Sequence, residues 1–142
     1  VVWRPTELEL DDSPSYSVSW DGITADLLAG ESLAVGDVCY LKSDGKMWKA
    51  DADAETAANT MLWMVTKAAS ADEEVTFLLL GFIRNDSWNW STVGALLYVH
   101  TTGGSPTATR PSGSGDIVRV VGYVINADVI YFNPDRTFIE LA

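Results

Sequence analysis

Between Gly94 and Pro134 the chain reads GALLYVHTTGGSPTATRPSGSGDIVRVVGYVINADVIYFNP, in which three apolar runs, Leu96–Val99, Ile117–Ile125 and Val129–Phe132, are separated by Gly, Ser, Thr and Pro. Short runs rich in Val, Ile and Tyr and bounded by turn residues are strands, and this punctuation belongs to an all-β domain rather than to a catalytic loop. The segment also has an echo. Val93-Gly94-Ala95-Leu96-Leu97-Tyr98-Val99 repeats Val35-Gly36-Asp37-Val38-Cys39-Tyr40-Leu41 with valine, glycine and tyrosine in register. A polar turn follows each copy, and then two more apolar runs: Met61–Ala68 and Val75–Leu80 after the first, Ile117–Ile125 and Val129–Phe132 after the second. The pattern predicts a small β-barrel or sandwich built from two related halves, about residues 30–80 and 88–133. At 142 residues the chain has the length of one domain, spanning 15–142.

The remaining elements follow from local chemistry. Tyr16-Ser17-Val18-Ser19-Trp20 alternates polar and apolar as a half-buried strand does, and Asp21-Gly22 predicts a turn into Ile23–Leu28. Ser43-Asp44-Gly45-Lys46 is a tight turn joining Asp37–Lys42 to Met47–Ala50, because glycine takes a positive φ without steric cost. Val75–Phe82 is apolar at successive positions and is expected to be buried on both faces. Ala52–Asn59, rich in alanine with acids at its start, is the one short helical interval.

Residues 1–14, VVWRPTELELDDSP, differ from the rest and predict an extended N-terminal arm. Leu8-Glu9-Leu10 alternates, and prolines flank it at positions 5 and 14. The partner-binding candidates are Trp3, Glu7, Leu8, Glu9, Leu10, Asp11 and Asp12: the apolar ones need a pocket, and the acids suit a basic face. The same stretch also reads as an edge strand of the chain's own barrel.

Charge limits the partners. Nine basic against twenty acidic residues leave −11, and residues 1–74 hold fifteen of the acids. Such a surface repels phosphate backbones, which argues against nucleic-acid binding. No stretch approaches the roughly 18 apolar residues of a membrane-spanning helix, so no membrane partner is expected. The acidity serves solubility, or turns the first half toward a basic partner.

Chemistry-bearing constellations are few. Asp51, Asp53 and Glu55 alternate like calcium ligands, but the sixth position holds Thr56 where the calcium loop needs glycine, and an acidic helix start accounts for them. Gly113-Ser114-Gly115-Asp116 opens a strand and lacks the lysine of a phosphate loop. Ser114, His100 and Asp116 form a triad only on paper, for the nucleophile elbow is missing. Cys39 and His100 are the only residues of their types. Cys39 is read as a buried thiol and His100 as an exposed strand end, which leaves no internal disulfide and no His/Cys metal site. No cofactor and no enzymatic activity are expected. Trp88-Asn89-Trp90 places two aromatics at alternate positions: a sugar-stacking platform, or packing beneath a loop or at a subunit contact.

The string from Gly30 to Ala142 resembles structural modules of tailed bacteriophages, the capsid decoration (cement) proteins and related head or tail-fibre domains. The likeness rests on GESLAVGDVCYLKSDGKMWKADA, LLYVHTTGG, SPTAT, RPSGSGDIVRVVGYV and INADVIYFNPD. It implies a non-enzymatic β-module, a homo-oligomer and commonly a trimer, on the virion surface after assembly in the host cytoplasm. Its partners would be the major capsid protein or other virion subunits. The alternatives are a carbohydrate- or receptor-binding module of a fibre tip that uses Trp88 and Trp90, and a self-polymerising filament subunit.

Overall fold

The computed structural model describes residues 2–4 and 7–142, and side chains from residue 9 onward. In chain order the elements are β1 (Val2–Arg4), β2 (Glu7–Glu9), β3 (Trp20–Leu28), β4 (Val38–Leu41), β5 (Met47–Lys49), α1 (Glu55–Ala58), β6 (Leu62–Val65) and β7 (Glu74–Arg84). They continue with β8 (Leu96–Tyr98), β9 (Ile117–Val118), β10 (Val120–Val124), β11 (Val129–Phe132) and β12 (Ile139–Glu140). The chain is mostly β, with one helical turn, as its turn-punctuated apolar runs predict.

The longest strand, β7, organises the rest. Along one edge it pairs with all of β3, from Trp20↔Ile83 to Leu28↔Glu74, with a bulge between Ile23 and Thr24. A strand has only two edges, so β6 and β11 share the other one. β6 takes the first part through Met64↔Leu78 and Val65↔Phe77, and β11 takes the last part, from Val129↔Arg84 to Phe132↔Gly81. Two antiparallel meanders spread from this line, β4–β6–β7 and β8–β10–β11, and β5 extends the first through its pairing with β4. A parallel bridge from Ala29 to Met47 joins the end of β3 to β5 and curls the sheet.

Gly22 lies inside β3 and faces Gly81 of β7, so the expected Asp21-Gly22 hairpin is instead continuous strand. The reason is closeness of approach: a Cβ on Gly22 would lie 2.2 Å from the Leu80 carbonyl oxygen, and one on Gly81 2.3 Å from that of Asp21. Asp44-Gly45 does turn, with Gly45 at φ 81° and its N–H donated to the Lys42 carbonyl at 2.9 Å. The expected run Ile117–Ile125 divides into β9 and β10 at Arg119.

The hydrogen bonds of the two meanders repeat each other. Gly36 donates to the Val65 carbonyl at 2.9 Å and Val65 to that of Asp37 at 3.0 Å; Gly94 donates to Val124 at 2.7 Å and Val124 to Ala95 at 3.0 Å. Gly36 and Gly94 hold φ values of 86° and 82° in matching turns, a conformation that glycine alone adopts freely.

Two apolar clusters fill the interior. Val38, Met64, Leu78, Ile83, Leu97, Val124, Ile130 and Phe132 belong to the larger one, in which the two meanders meet. Cys39, Met47, Val65, Val75 and Phe77 form the smaller, with Ala29 and Leu33. Neighbouring residues of β4, β6 and β7 thus go to different clusters, and these strands are buried on both faces because side chains alternate along a strand.

The N-terminal segment differs from the expected single extended arm. β1 and β2 pair antiparallel as a hairpin through Val2↔Glu9, Trp3↔Leu8 and Arg4↔Glu7, in a two-stranded sheet separate from the main one. The alternating Leu8-Glu9 stretch finds its backbone partner in Val2–Arg4, and the reading of this stretch as an edge strand of the barrel does not hold. Val1, Pro5 and Thr6 lie outside the described residues, as do the side chains of Trp3, Glu7 and Leu8.

Candidate functional site

Of the expected arm residues, Leu10 is half-buried while Glu9, Asp11 and Asp12 are exposed. The Asp11 N–H donates to Asp21 Oδ2 at 2.8 Å, and Asp11 Oδ1 accepts the Ser13 N–H at 2.9 Å. A little further on, Arg84 Nη1 donates to the Pro14 carbonyl at 3.2 Å, and Pro14 is buried. Residues 11–14 therefore fasten the hairpin to the outer side of β3 and β7. Arg84 is held in place by Asp86, whose carboxylate accepts from Nε at 2.7 Å.

Trp88 and Trp90 sit in a loop, not a strand, so the alternation expected of them does not apply. Their rings are 5.7 Å apart and tilted by 50°, and both half-buried side chains pack against the larger cluster. A Cβ on Gly36 would lie 2.6 Å from the Trp88 ring, which shows how closely the indole covers that turn. Trp90 lines a hollow of about 360 Å³ with Ala95, Ala108 and Val124, and its buried Nε1 has no hydrogen-bond partner. Asn85 is buried, and its Oδ1 accepts the Ser87 N–H at 2.9 Å.

The polar candidates are engaged in turns. Asp116 Oδ2 accepts the Gly113 N–H at 2.7 Å, and His100 Nδ1 accepts the Thr102 N–H at 3.1 Å. Asp37 Oδ2 accepts the Ala34 N–H at 2.8 Å in a turn of the same form. Burial pushes the Asp37 carboxyl above its ordinary value, against the pull of that N–H. Cys39 is fully buried, and burial together with the nearby Asp37 and Glu31 carboxylates pushes its thiol well up, which suits an inert core residue. Asp51 Oδ1 accepts the Asp53 N–H at 3.1 Å ahead of α1, and among the described residues no three His, Cys, Asp or Glu converge as metal ligands.

Arg119 is nearly buried and spans the two meanders. Its Nε donates to the Asp135 carbonyl at 2.7 Å, and its Nη1 donates to the carbonyls of Ala58, at 3.0 Å, and Thr60. Burial lowers its pKa from the ordinary arginine value, and the Asp135 carboxylate works against that fall. The residue is a clasp between the end of α1 and the segment after β11.

A row of partly exposed apolar side chains crosses the outer face of the second meander. Phe82, Tyr131, Tyr123 and Leu96 are opposite one another across β7, β11, β10 and β8. The Phe82 and Tyr131 rings are 5.0 Å apart, and those of Tyr131 and Tyr123 stack at 6.4 Å. Leu80 and Ile23, another facing pair, continue the patch toward β3. Sequence reasoning passed over this row because VRVVGYV and VIYF are apolar at nearly every position, so alternation does not say which side faces out. The usable signal was the pair of tyrosines, whose hydroxyls favour the wet face.

Compared with protein-family models and with curated proteins, the chain matches none.

Proposed function

We propose that the chain is a non-enzymatic structural protein of a bacteriophage particle, a decoration or cement protein bound at the virion surface to the major capsid protein or another virion subunit. It would act as a homo-oligomer, a trimer by the same resemblance. The observation that carries this reading is the N-terminal hairpin, fastened at Asp11 and Pro14 but separate from the main sheet. A two-stranded hairpin standing alone is marginal in water, so a surface to lie on stabilises it. The edge of a partner's sheet supplies one through main-chain hydrogen bonds, with the exposed Asp11 and Asp12 available to basic groups there. Several copies binding at once would turn weak single contacts into firm attachment. The polar candidates, held in turns, suit a body whose task is binding.

The test is co-sedimentation of the purified chain with phage particles stripped of their surface proteins. Removing residues 1–14 is expected to lower apparent affinity at least tenfold while the body stays folded. Unchanged binding by the shortened chain would sink the strap mechanism, and no binding by the full chain would sink the cement reading itself.

A further inference from the structure

The outer face of the second meander has a counterpart in the first, and the two are treated differently. By their place in the repeated pattern, Leu96, Tyr123 and Tyr131 correspond to Val38, Met64 and Leu78. Those three are fully buried, covered by the inner face of the second meander with Leu97, Val124 and Ile130. The chain thus covers such a face with its own sheet once and leaves the second instance open. Tyr123 is 39% exposed, Leu96 42% and Ile23 49%. A contiguous aromatic and aliphatic patch of this kind on a soluble chain marks an association surface, and tyrosine and phenylalanine are enriched at such contacts.

Charge selects the occupant. From Phe82 to Leu96 the row carries no carboxylate, lysine or arginine, with Asp21 of β3 standing at its end opposite Phe82, and residues 75–142 hold only five of the twenty acids beside four of the nine bases. A partner recognised through basic side chains would be drawn to the first half, where the acids are. The occupant of the row is neutral and apolar where it touches, and another copy of this chain brings such a surface. Two molecules at −11 each repel across most of their area and meet at lowest electrostatic cost through the faces that lack charge. We propose that the Phe82–Tyr131–Tyr123–Leu96 row is a self-association surface, covered by a second copy of this chain with the rows turned toward a common axis. The proposal places the homo-oligomer of the proposed function on this face and rests on that part of the reading, but not on the virion partner, for which residues 1–14 are the argument.

Cys39 is fully buried, so a cysteine placed on the row is the sole accessible thiol. Leu96→Cys and, as a control on the first meander, Leu41→Cys are compared by sedimentation velocity before and after reaction with a bulky maleimide. The unmodified chain is expected to sediment at a multiple of its 15.4 kDa, more completely as salt is raised, since screening weakens like-charge repulsion. Both cysteine variants should behave the same way before labelling. Labelling at residue 96 should return the monomer, and labelling at residue 41 should leave the assembly intact. A monomer at every concentration of unmodified chain would overturn the proposal. So would an assembly indifferent to the label at 96, or one dissolved equally by both labels.

Discussion

The first and second meanders are made with the same hydrogen bonds, yet one is buried on both faces and the other on one. Where the first places Val38, Met64 and Leu78, the second places Leu96, Tyr123 and Tyr131. The change from purely aliphatic or thioether side chains to a mixture with phenols follows the change in surroundings: fully buried in the first case, partly wet in the second. Backbone pattern and side-chain role are therefore separable. The strand order is set by turns and ladders, while each face takes its chemistry from whatever lies against it.

The sharpest way to break this comparison is to put a charge at equivalent places. Met64→Glu is expected to unfold the chain or cost several kcal/mol, because an unpaired carboxylate would sit in the sealed cluster. Tyr123→Glu, at the matching place, should cost under about 1 kcal/mol in dilute solution. Urea denaturation followed by tryptophan fluorescence measures both, and equal losses would show that the two faces are not differently covered. Next in size is the clasp between the regions. Arg119→Met leaves the carbonyls of Ala58, Thr60 and Asp135 without their donor and should cost about 3 kcal/mol in the same measurement. A loss below about 1 kcal/mol would mean that the meanders are held together by their apolar contact alone.

The smallest effect compares the two matching turns, one with Asp37 and the other with Ala95. Burial raises the Asp37 carboxyl above 3.8, so the folded state holds that proton more tightly than the unfolded chain does. The stability this contributes is complete below the unfolded-state value and is lost as pH rises through the folded-state value. Asp37→Asn keeps an oxygen to accept the Ala34 N–H and removes the titration. The variant should therefore gain on the parent chain as pH climbs from just below 3.8 to the raised value, with no further relative change above it. Ala95→Ser, which brings no titratable group to the second turn, should show no such drift. A pH-independent difference between Asp37→Asn and the parent would place the Asp37 carboxyl in a more watery setting than its burial implies.

Much of the architecture was legible because it is local. Asp44-Gly45, the Val-Gly turns at 35–36 and 93–94, and the short runs at 96–99 and 129–132 each carry their own conformational signature, and each lies where the pattern placed it. What could not be read depends on residues far apart in sequence. Asp21-Gly22 looks like a turn until Gly81 is known to press against it. Trp88 and Trp90 look like an exposed pair until the Gly36 turn is found beneath the first. Residues 1–14 look like an extended arm, because alternation predicts extension but not that Val2–Arg4 folds back upon Glu7–Glu9. The aromatic row was hidden for a related reason: it exists only through cross-strand register, which joins residues 82, 131, 123 and 96.

The single strand β7 serves both meanders, and this governs how the molecule comes apart. One part of its edge is completed by β6 and the rest by β11, while β3 runs along the whole opposite side. Neither half holds a finished sheet without it, so there is no natural seam along which one half can melt and leave the other standing. Loss of order should spread through β7 as one cooperative event. In the reverse direction, residues 20–28 and 129–132 must both travel to the same central strand before either half is secure. Such distant contacts make for slow assembly. The repeated pattern suggests two units, but by cooperativity the chain is one.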